Sequence, residues 1–267
     1  DGGSFAGNVG MGGTLSVTGN ADLNGDLDVD GTTNLDVVDI DGAVDMASTL
    51  NVTGALTVGT QISSINTGGD AHVQIKGNTR DFKIEQNNYG LRIVDNDASS
   101  ERFRIDASGA VTMPLQPAFN VKLSASQADL PINATTTVKF NTEIFDANSD
   151  FTPSTGDGQG GDGSNLKGQF TAPVTGKYQL NAMMYMDAFD IGTTYYHMII
   201  RTSNRIYYDV LGTSGFDADM NYHGMSGSVL ADMDSGDTAS IEIQIPNSGA
   251  AQTDIEGGST FSGFLAC

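Results

Sequence analysis

The sequence predicts an all-β protein: a trimeric β-prism or β-helix shaft, a small β module and a C-terminal jelly-roll head. Three observations support this prediction. Apolar and polar residues alternate with a period of two along nearly the whole chain, which is typical of strands. Gly, Asn, Asp, Ser and Thr interrupt the alternation at short intervals, as turns do. A short phrase also repeats through the first part of the chain, so three regions are distinguished: 1–61, 62–114 and 115–267.

The first region, residues 1–61, repeats two apolar residues that are separated by one polar residue and usually followed by a polar residue and Gly. Copies begin at Leu15, Leu27, Val38, Leu50 and Leu56, so the period is close to six residues or a multiple of it. The two apolar side chains of a copy point to the same face of a strand, and the Gly permits a sharp turn. One such strand cannot bury its apolar face alone, so stacked copies must do so together.

Two architectures satisfy this repeat: one chain coiled as a solenoid, or three chains wound into a shared triangular prism. Stacked units of about six residues give a single chain only a thin core. Three chains triple the apolar layer and leave no free sheet edge. We therefore expect residues 1–61 to form a trimeric, repetitive β shaft.

The second region, residues 62–114, is predicted to be a β-hairpin module because its alternating segments are longer. Asn87-Asn-Tyr-Gly90 is a hairpin turn signal, and Asp106-Ala-Ser-Gly109 is another turn. The predicted strands are Ala71–Lys76, Asp81–Gln86, Leu91–Val94, Arg102–Ile105 and Val111–Met113.

The third region, residues 115–267, is long enough for a full domain and contains nine strand candidates without helix signals, which predicts a sandwich or a jelly roll. Pro114 and Pro117 mark its beginning. The candidates are Phe119–Leu123, Thr137–Phe140, Gly168–Thr171, Gly176–Met186, Tyr195–Arg201, Arg205–Leu211, Met220–Ala231, Thr238–Ile245 and Ser259–Leu265.

Four segments of the third region carry a resemblance to a known family. They are Val138–Asn141, Ile144–Phe145, Gly168–Tyr178 (GQFTAPVTGKY) and Ser259–Leu265 (STFSGFL). The region resembles the globular head of complement and its relatives, which share the trimeric jelly roll of tumour necrosis factor. The sequence departs from that pattern in a Gly- and Asp-rich insertion between Asp150 and Asn165, where the family usually has a short acidic turn. The resemblance implies a threefold trimer with binding loops at the distal end.

The aromatic residues of this region supply material for such a trimer. Six of them are candidates for either the domain core or a threefold interface: Phe140, Phe170, Tyr178, Tyr185, Phe261 and Phe264.

The first two regions resemble phage fibre shafts. The Leu-x-Val-x-Gly repeats and the segment Arg102–Val111 (RFRIDASGAV) form a sequence pattern that is common in fibre and appendage proteins. Shaft and head would then both be trimeric. A head that trimerises independently would align three chains, and the shaft repeats would then pair in register.

The charge of the chain restricts its partners. It has 12 basic and 33 acidic residues, a net charge of −21, and no Lys or Arg before Lys76. Nucleic acids and anionic membranes both require a basic patch, so we expect neither as a partner. No apolar run reaches the length of a membrane-spanning helix, so we expect no membrane insertion. The single cysteine, Cys267, excludes an internal disulfide framework.

The insertion contains the one candidate metal site. Asp157, Asp162 and Asn165 offer carboxylate and amide oxygens among glycines, which are ligands that Ca²⁺ prefers. The sequence predicts no other cofactor. A solvated loop without a metal is the alternative interpretation of these residues.

The candidate receptor contacts lie between residues 190 and 225, where Tyr and Arg are concentrated. These residue types are favoured at recognition surfaces. In alternating strands half of such side chains must point inward, so Tyr195 and Tyr196 place one ring on each face. The candidates are Tyr195, Tyr196, Arg201, Arg205, Tyr207, Tyr208, Phe216 and Tyr222.

No pattern in the sequence points to catalysis. The chain has no nucleophile elbow, phosphate loop or Cys-x-x-Cys pair, and its three histidines show no metal spacing. Trp, a frequent sugar-stacking residue, is absent. We therefore expect a protein that is not an enzyme.

These observations predict a structural and receptor-binding fibre of a virus particle, most consistent with a phage, at the virion surface or otherwise extracellular. The expected partners are two further copies of the chain, a host surface glycan or protein, and other virion proteins bound through an N-terminal segment. A bacterial surface adhesin or extracellular matrix fibre of similar build is the alternative. A polysaccharide-degrading spike is a third, because glycoside hydrolysis needs only two suitably spaced carboxylates.

Overall fold

The computed structural model describes residues 6–24, 27–33, 35–66, 68–154, 168–246 and 248–267. Within these ranges every regular element is a β-strand, so the predicted all-β class is confirmed. The same residues contain no helix that is long and apolar enough to cross a bilayer. The chain divides into two units, Asp1–Gln61 and Ile62–Cys267, which we describe separately.

The described residues of the first unit form bends and extended segments without strands. The apolar side chains of the repeat are exposed in the single chain; Leu15 and Leu27 expose 72% and 68% of their surface. A short strand needs a neighbouring edge for its backbone hydrogen bonds, and a single copy of this segment forms no such pairing. The trimeric shaft remains a prediction for this unit.

The second unit begins with a five-stranded antiparallel meander in which each strand pairs with the next along the chain. Its strands are β1 (Ala71–Lys76), β2 (Asp81–Asn87), β3 (Gly90–Asp95), β4 (Ser100–Asp106) and β5 (Val111–Thr112). Each predicted strand of this region is confirmed to within two residues at either end. The turn between β2 and β3 requires Gly90, which has a φ of 126° and where a Cβ would lie 2.1 Å from the carbonyl oxygen of Ile105.

The described residues of the C-terminal domain form twelve strands. They are β6 (Ala118–Lys122), β7 (Ala134–Thr137), β8 (Thr142–Asp146), β9 (Phe151–Thr152), β10 (Gln169–Thr171), β11 (Gly176–Phe189), β12 (Tyr195–Thr202), β13 (Ile206–Gly212), β14 (Met220–Met233), β15 (Thr238–Ile245), β16 (Asp254–Ile255) and β17 (Thr260–Leu265).

These strands form two antiparallel sheets that pack as a jelly roll, as the sequence predicts. One sheet has the order β13-β12-β15-β10-β9, with β7 also pairing with β15. The other has the order β14-β11-β17-β6-β8, with β16 also pairing with β11. We name them the β13 sheet and the β14 sheet after their edge strands. Because the two sheets pack against each other, each sheet buries one face in the shared core and presents the other face outward.

An aromatic cluster occupies the core between the two sheets. The ring of Phe119 stacks on that of Phe170 at a centroid distance of 4.6 Å and on that of Phe151 at 5.4 Å. Phe261 meets Phe119 edge-on at 5.0 Å. The hydroxyl of Tyr178 donates to the carbonyl oxygen of Val174 at 2.8 Å, so this buried ring has a partner for its polar atom.

The structure divides the six aromatic candidates between the domain core and the domain surface. Tyr185 and Phe264 lie exposed on the outer face of the β14 sheet. The other four are buried in the core: Phe140, Phe170, Tyr178 and Phe261.

The domain differs from the sequence prediction at short, polar strands. The predicted strand Thr137–Phe140 lies at Ala134–Thr137, although Val138 still donates a backbone hydrogen bond to the Ile241 oxygen at 2.8 Å. Strands β8, β9 and β16 were not predicted. They are two to five residues long and are defined by their pairing partners rather than by an apolar pattern of their own.

Candidate functional site

Strands β12 and β13 form a hairpin at the edge of the β13 sheet, and alternation sorts its side chains onto two faces. Tyr195, His197 and Arg201 point outward, whereas Tyr196 between them is completely buried. The register pairs Ile199 with Tyr208 of β13, which is 56% exposed on the same outer face. We name this surface the aromatic face: Tyr195, His197, Arg201 and Tyr208, with Glu242 and Gln244 of the adjacent β15.

The rings of the aromatic face contact one another in sequence. The imidazole of His197 stacks on the ring of Tyr195, with centroids 4.4 Å apart and planes 27° apart. The ring of Tyr208 meets His197 edge-on at 5.1 Å. The Nδ1 atom of His197 lies 2.9 Å from Oε1 of Gln244, which fixes the imidazole between its two aromatic neighbours. The result is a continuous ring surface held by the sheet below it.

An ion pair borders the rings. Nε of Arg201 donates to Oε1 of Glu242 at 2.7 Å, and this hydrogen bond raises the pKa of the guanidinium. The other carboxylate oxygen of Glu242 is buried without a hydrogen-bond partner among the described residues. Ile199, which lies between His197 and Arg201 on the outward positions of β12 and pairs in register with Tyr208 and Glu242, is only 2% exposed. The face thus combines aromatic surface with one fixed positive and one fixed negative group, a combination that is suitable for recognition.

Two of the eight predicted receptor contacts lie at inward positions of their strands. Tyr196 is 0% exposed, and its ring packs edge-on against Phe189 at 4.5 Å. Tyr207 is half-buried and packs against the core of the domain. Both residues occupy the inward positions of alternating strands: Tyr196 is inaccessible to a receptor, and Tyr207 is only partly exposed.

The remaining predicted contacts do not form one surface. Arg205 is exposed at the turn between β12 and β13, beside the aromatic face. Phe216 is half-buried in the loop between β13 and β14, with its ring 6.3 Å from that of His223. Tyr222 lies on the other sheet, where its ring stacks on that of Tyr185 at 5.4 Å. Of the eight, only Tyr195, Arg201, Arg205 and Tyr208 therefore belong to the β12–β13 hairpin surface.

A buried carboxylate holds the loops next to Tyr195. Asp190 accepts a hydrogen bond from the backbone N–H of Gly192 at 2.6 Å and another from the N–H of Ala250. The backbone N–H of Asp190 donates to the hydroxyl of Tyr196 at 3.0 Å, and that hydroxyl lies 2.9 Å from Oγ1 of Thr253. This network fixes the beginning of β12, so Tyr196 positions the aromatic face from below.

The outer face of the β14 sheet carries a second apolar surface. Met183, Leu230 and Phe264 are exposed there, as are the stacked rings of Tyr185 and Tyr222. A polar strip crosses its middle. Nε2 of Gln179 donates to Oγ of Ser228 at 2.7 Å, and that hydroxyl donates to Oδ1 of Asn181 at 2.8 Å. We name this surface the β14 face; its exposed apolar residues make it a candidate contact surface for another protein.

The predicted calcium ligands Asp157, Asp162 and Asn165 lie outside the described residues. Within the described part of the chain, no three His, Cys, Asp or Glu side chains are grouped so that they could hold a metal ion.

Sequence reasoning missed three members of the aromatic face: His197, Glu242 and Gln244. The signal for His197 was present, because it alternates with Tyr195 and Arg201 on one strand. Glu242 and Gln244 come from β15, some forty residues later in the chain. Only the strand order of the sheet places them beside β12.

The family of the C-terminal domain follows from a direct comparison. The sequence model of the C1q domain matches residues 118–266, which is more than half of the chain. The chain belongs to the C1q domain family. The predicted resemblance of the third region is thereby confirmed, and the two sheets described above are those of a C1q jelly roll.

Solved structures similar to this chain come from several sources. The globular domain of zebrafish complement 1qA protein is 20% identical over 57% of this chain and 98% of that chain, with a TM-score of 0.40. The PRD1 vertex protein P5 is 11% identical over 57% and 97%, with a TM-score of 0.35. Murine APRIL is 13% identical over 56% and 98%, with a TM-score of 0.36. No curated protein sequence matches the chain.

Proposed function

We propose that the chain is the fibre of a virus particle, a phage appendage, in which three copies form a shaft and the C1q head binds the host surface. One observation carries this proposal: a C1q domain is joined to a repeat whose apolar side chains are all left in water by a single chain. C1q and tumour-necrosis-factor-like domains form trimers. A trimer supplies the two missing partners that the repeat requires.

The β14 face is the trimer contact in this proposal. Its exposed Met183, Leu230 and Phe264 provide apolar area, while the polar strip between them fixes how the copies align. Interfaces between permanently associated chains combine such an apolar surface with satisfied polar groups. The β13 sheet, on the other side of the sandwich, stays free.

The same trimer explains how the shaft could bury its apolar side chains. Each repeat contributes two apolar side chains, and three neighbouring chains can close them into a common interior. The outward positions are Asp, Thr, Ser and Asn, so the outer surface of the shaft is acidic and polar. Other virion proteins attach through an N-terminal segment, which leaves the head for the host.

The aromatic face is the host-binding surface. Tyr and Arg are the residue types that contribute most at recognition sites, and here they are fixed by stacking, an ion pair and a rigid sheet. The ligand class is a glycan or a protein of the host surface. With a net charge of −21, the chain gains no general attraction to anionic ligands. The protein acts by binding and not by catalysis.

A binding assay tests this function. The full chain, labelled with a fluorophore at Cys267, is incubated with a panel of bacterial strains, and bound fluorescence is measured as the protein concentration rises. We expect saturable binding to at least one strain and its loss in the Tyr208→Ala variant. The absence of saturable binding to every strain, or binding that Tyr208→Ala leaves intact, would contradict the proposal.

A second assay distinguishes a virus from a cell as the source of the fibre. An antibody raised against the chain is applied to virus particles and to cell envelopes purified from the same culture. We expect gold-labelled antibody on particle appendages in electron micrographs. Labelling of the cell envelopes alone would favour a bacterial adhesin.

A further inference from the structure

The five-stranded meander, β1 to β5, has two chemically opposite faces. One row across it consists of directly paired apolar residues: Val73, Ile84, Ile93 and Phe103. A second row places Leu91, Ile105 and Val111 on the same side. We name this side the apolar sheet face. The row on the opposite side consists of His72, Glu85, Arg92, Arg104 and Thr112.

The charged side chains of the opposite side find their partners within the same sheet. Glu85 is fully buried between Lys83 and Arg92 and pairs with both. Arg104 pairs with Glu101 at 2.5 Å, and Arg92 approaches the same carboxylate at 3.7 Å. These charged side chains pair with one another within the sheet, so this side can face water.

The apolar sheet face is not covered by the described residues of its own unit. Val73, Ile84 and Val111 expose 50%, 42% and 56% of their surface. A sheet with one apolar face must bury that face against a second layer to be stable. The row of Val73, Ile84, Ile93 and Phe103 contains no charged side chain. The neighbouring row on this side includes Asp95, whose charge is paired with Arg102 within the meander. An apolar covering surface therefore matches this face.

We propose that the covering surface is the same face of two further copies of this chain, so that three meanders enclose an apolar interior. This inference rests on the proposed trimer and assigns it a second, independent interface. The charged rows would then form the outer surface.

The connection to the head favours copies of the chain over any other partner. Only residues 113–117 separate β5 from β6. This segment is held against the head, because the Leu265 N–H donates to the Pro117 oxygen at 3.0 Å and Nε2 of Gln116 donates to the Leu265 oxygen at 3.1 Å. Leu265 belongs to β17, a strand of the β14 sheet that we assign to the trimer contact. A trimeric head therefore brings three meanders together on this short, fixed connection.

Cysteine cross-linking tests the interface. Ile84→Cys and Ile93→Cys are each introduced into the full chain together with Cys267→Ser, and His72→Cys is the matched control because it is exposed on the opposite side of β1. After oxidation, or treatment with a short bismaleimide, covalent dimers are measured on a denaturing gel. One thiol per chain can link only two of three copies, so we expect up to about two-thirds of the chains as dimers for Ile84→Cys and Ile93→Cys. We expect His72→Cys to remain monomeric on the gel.

The mass of each variant in native solution separates the two proposals. A trimer that cross-links through neither Ile84→Cys nor Ile93→Cys, or equally well through His72→Cys, overturns this interface and leaves the trimeric fibre standing. A monomer overturns both.

Hydrogen exchange gives a second readout that needs no engineered thiol. We expect amide exchange in residues 71–112 to be about tenfold faster in Ile84→Asp than in the control His72→Asp, because only the first places a charge in the enclosed interior. Equal exchange in the two variants would also overturn the interface.

Discussion

The imidazole of His197 lies flat against the ring of Tyr195, with centroids 4.4 Å apart, and the ring of Tyr208 closes the other side at 5.1 Å. Three side chains from two strands thus form one rigid surface beside the Arg201–Glu242 ion pair. Rigid aromatic residues lose little conformational entropy on binding, which makes them effective anchors for a ligand.

Removal of the exposed Tyr208 ring is expected to weaken host binding strongly without unfolding the head. Tyr208→Ala should weaken binding by roughly thirtyfold or more, the loss of a residue worth about 2 kcal/mol. Tyr89→Ala, which removes an exposed ring from the turn of the meander, is the matched control and should bind like the wild type. Titration on responsive cells measures both, and equal affinities would remove Tyr208 from the binding surface.

The buried tyrosine beneath this face should matter for stability instead. Tyr196→Phe leaves the N–H of Asp190 without its acceptor and Thr253 without one partner, which should lower the free energy of unfolding by about 1–2 kcal/mol. Tyr208→Phe removes only an exposed hydroxyl and should change stability very little. Denaturant unfolding followed by circular dichroism compares the two variants. Equal midpoints would show that the Tyr196 hydroxyl does not hold the loops.

A charge on the β14 face should separate the subunits of the head. Leu230→Asp places a carboxylate in the proposed interface, where its desolvation opposes association. Val210→Asp introduces the same charge at an equally exposed position of the β13 sheet and should leave the assembly intact. Sedimentation velocity distinguishes the two variants. If Val210→Asp dissociates the assembly and Leu230→Asp does not, the β14 face is not the contact.

The meander should lose stability in acid. The hydrogen bond from Arg102 to Asp95, 2.7 Å long, is the main cause that holds the pKa of this carboxyl below its ordinary value of 3.8. A carboxyl whose pKa is lower in the folded state stabilises that state above the unfolded pKa. The contribution is therefore complete above about pH 5 and is lost as the pH falls through 3.8 and below.

The variant Asp95→Asn isolates this effect. It keeps the size of the side chain but removes the titrating group, so the exchange rates of amides 81–106 should depend less on pH between about 5 and 2 than in the wild type. Rates are compared after correction for intrinsic exchange. An identical pH dependence in wild type and variant would exclude Asp95 as a source of acid sensitivity.

Strand positions are predicted best from the sequence where the alternation of apolar and polar residues is visible within the strand itself. All five strands of the meander follow from alternation and from turns such as the one that ends at Gly90. Alternation also predicts that Tyr195 and Tyr196 point to opposite faces, although which of them is exposed depends on the second sheet. His197 belongs to the same alternating set and was overlooked.

The remaining features depend on partners that are distant in the chain. Glu242 reaches Arg201 only because β15 lies beside β12, and β16 exists only where Ile255 pairs with Met186. The repeat shows the limit most clearly: its apolar pattern predicts burial, yet Leu15 and Leu27 stay in water in a single chain. Burial there requires neighbours that no single chain contains.

The mass of the full chain in solution tests the central claim most directly. Native mass spectrometry or sedimentation equilibrium should give three times the chain mass of 27.8 kDa, with the trimer persisting on dilution. A stable, folded species of 27.8 kDa would contradict the shared shaft, the β14 face contact and the enclosed meander together.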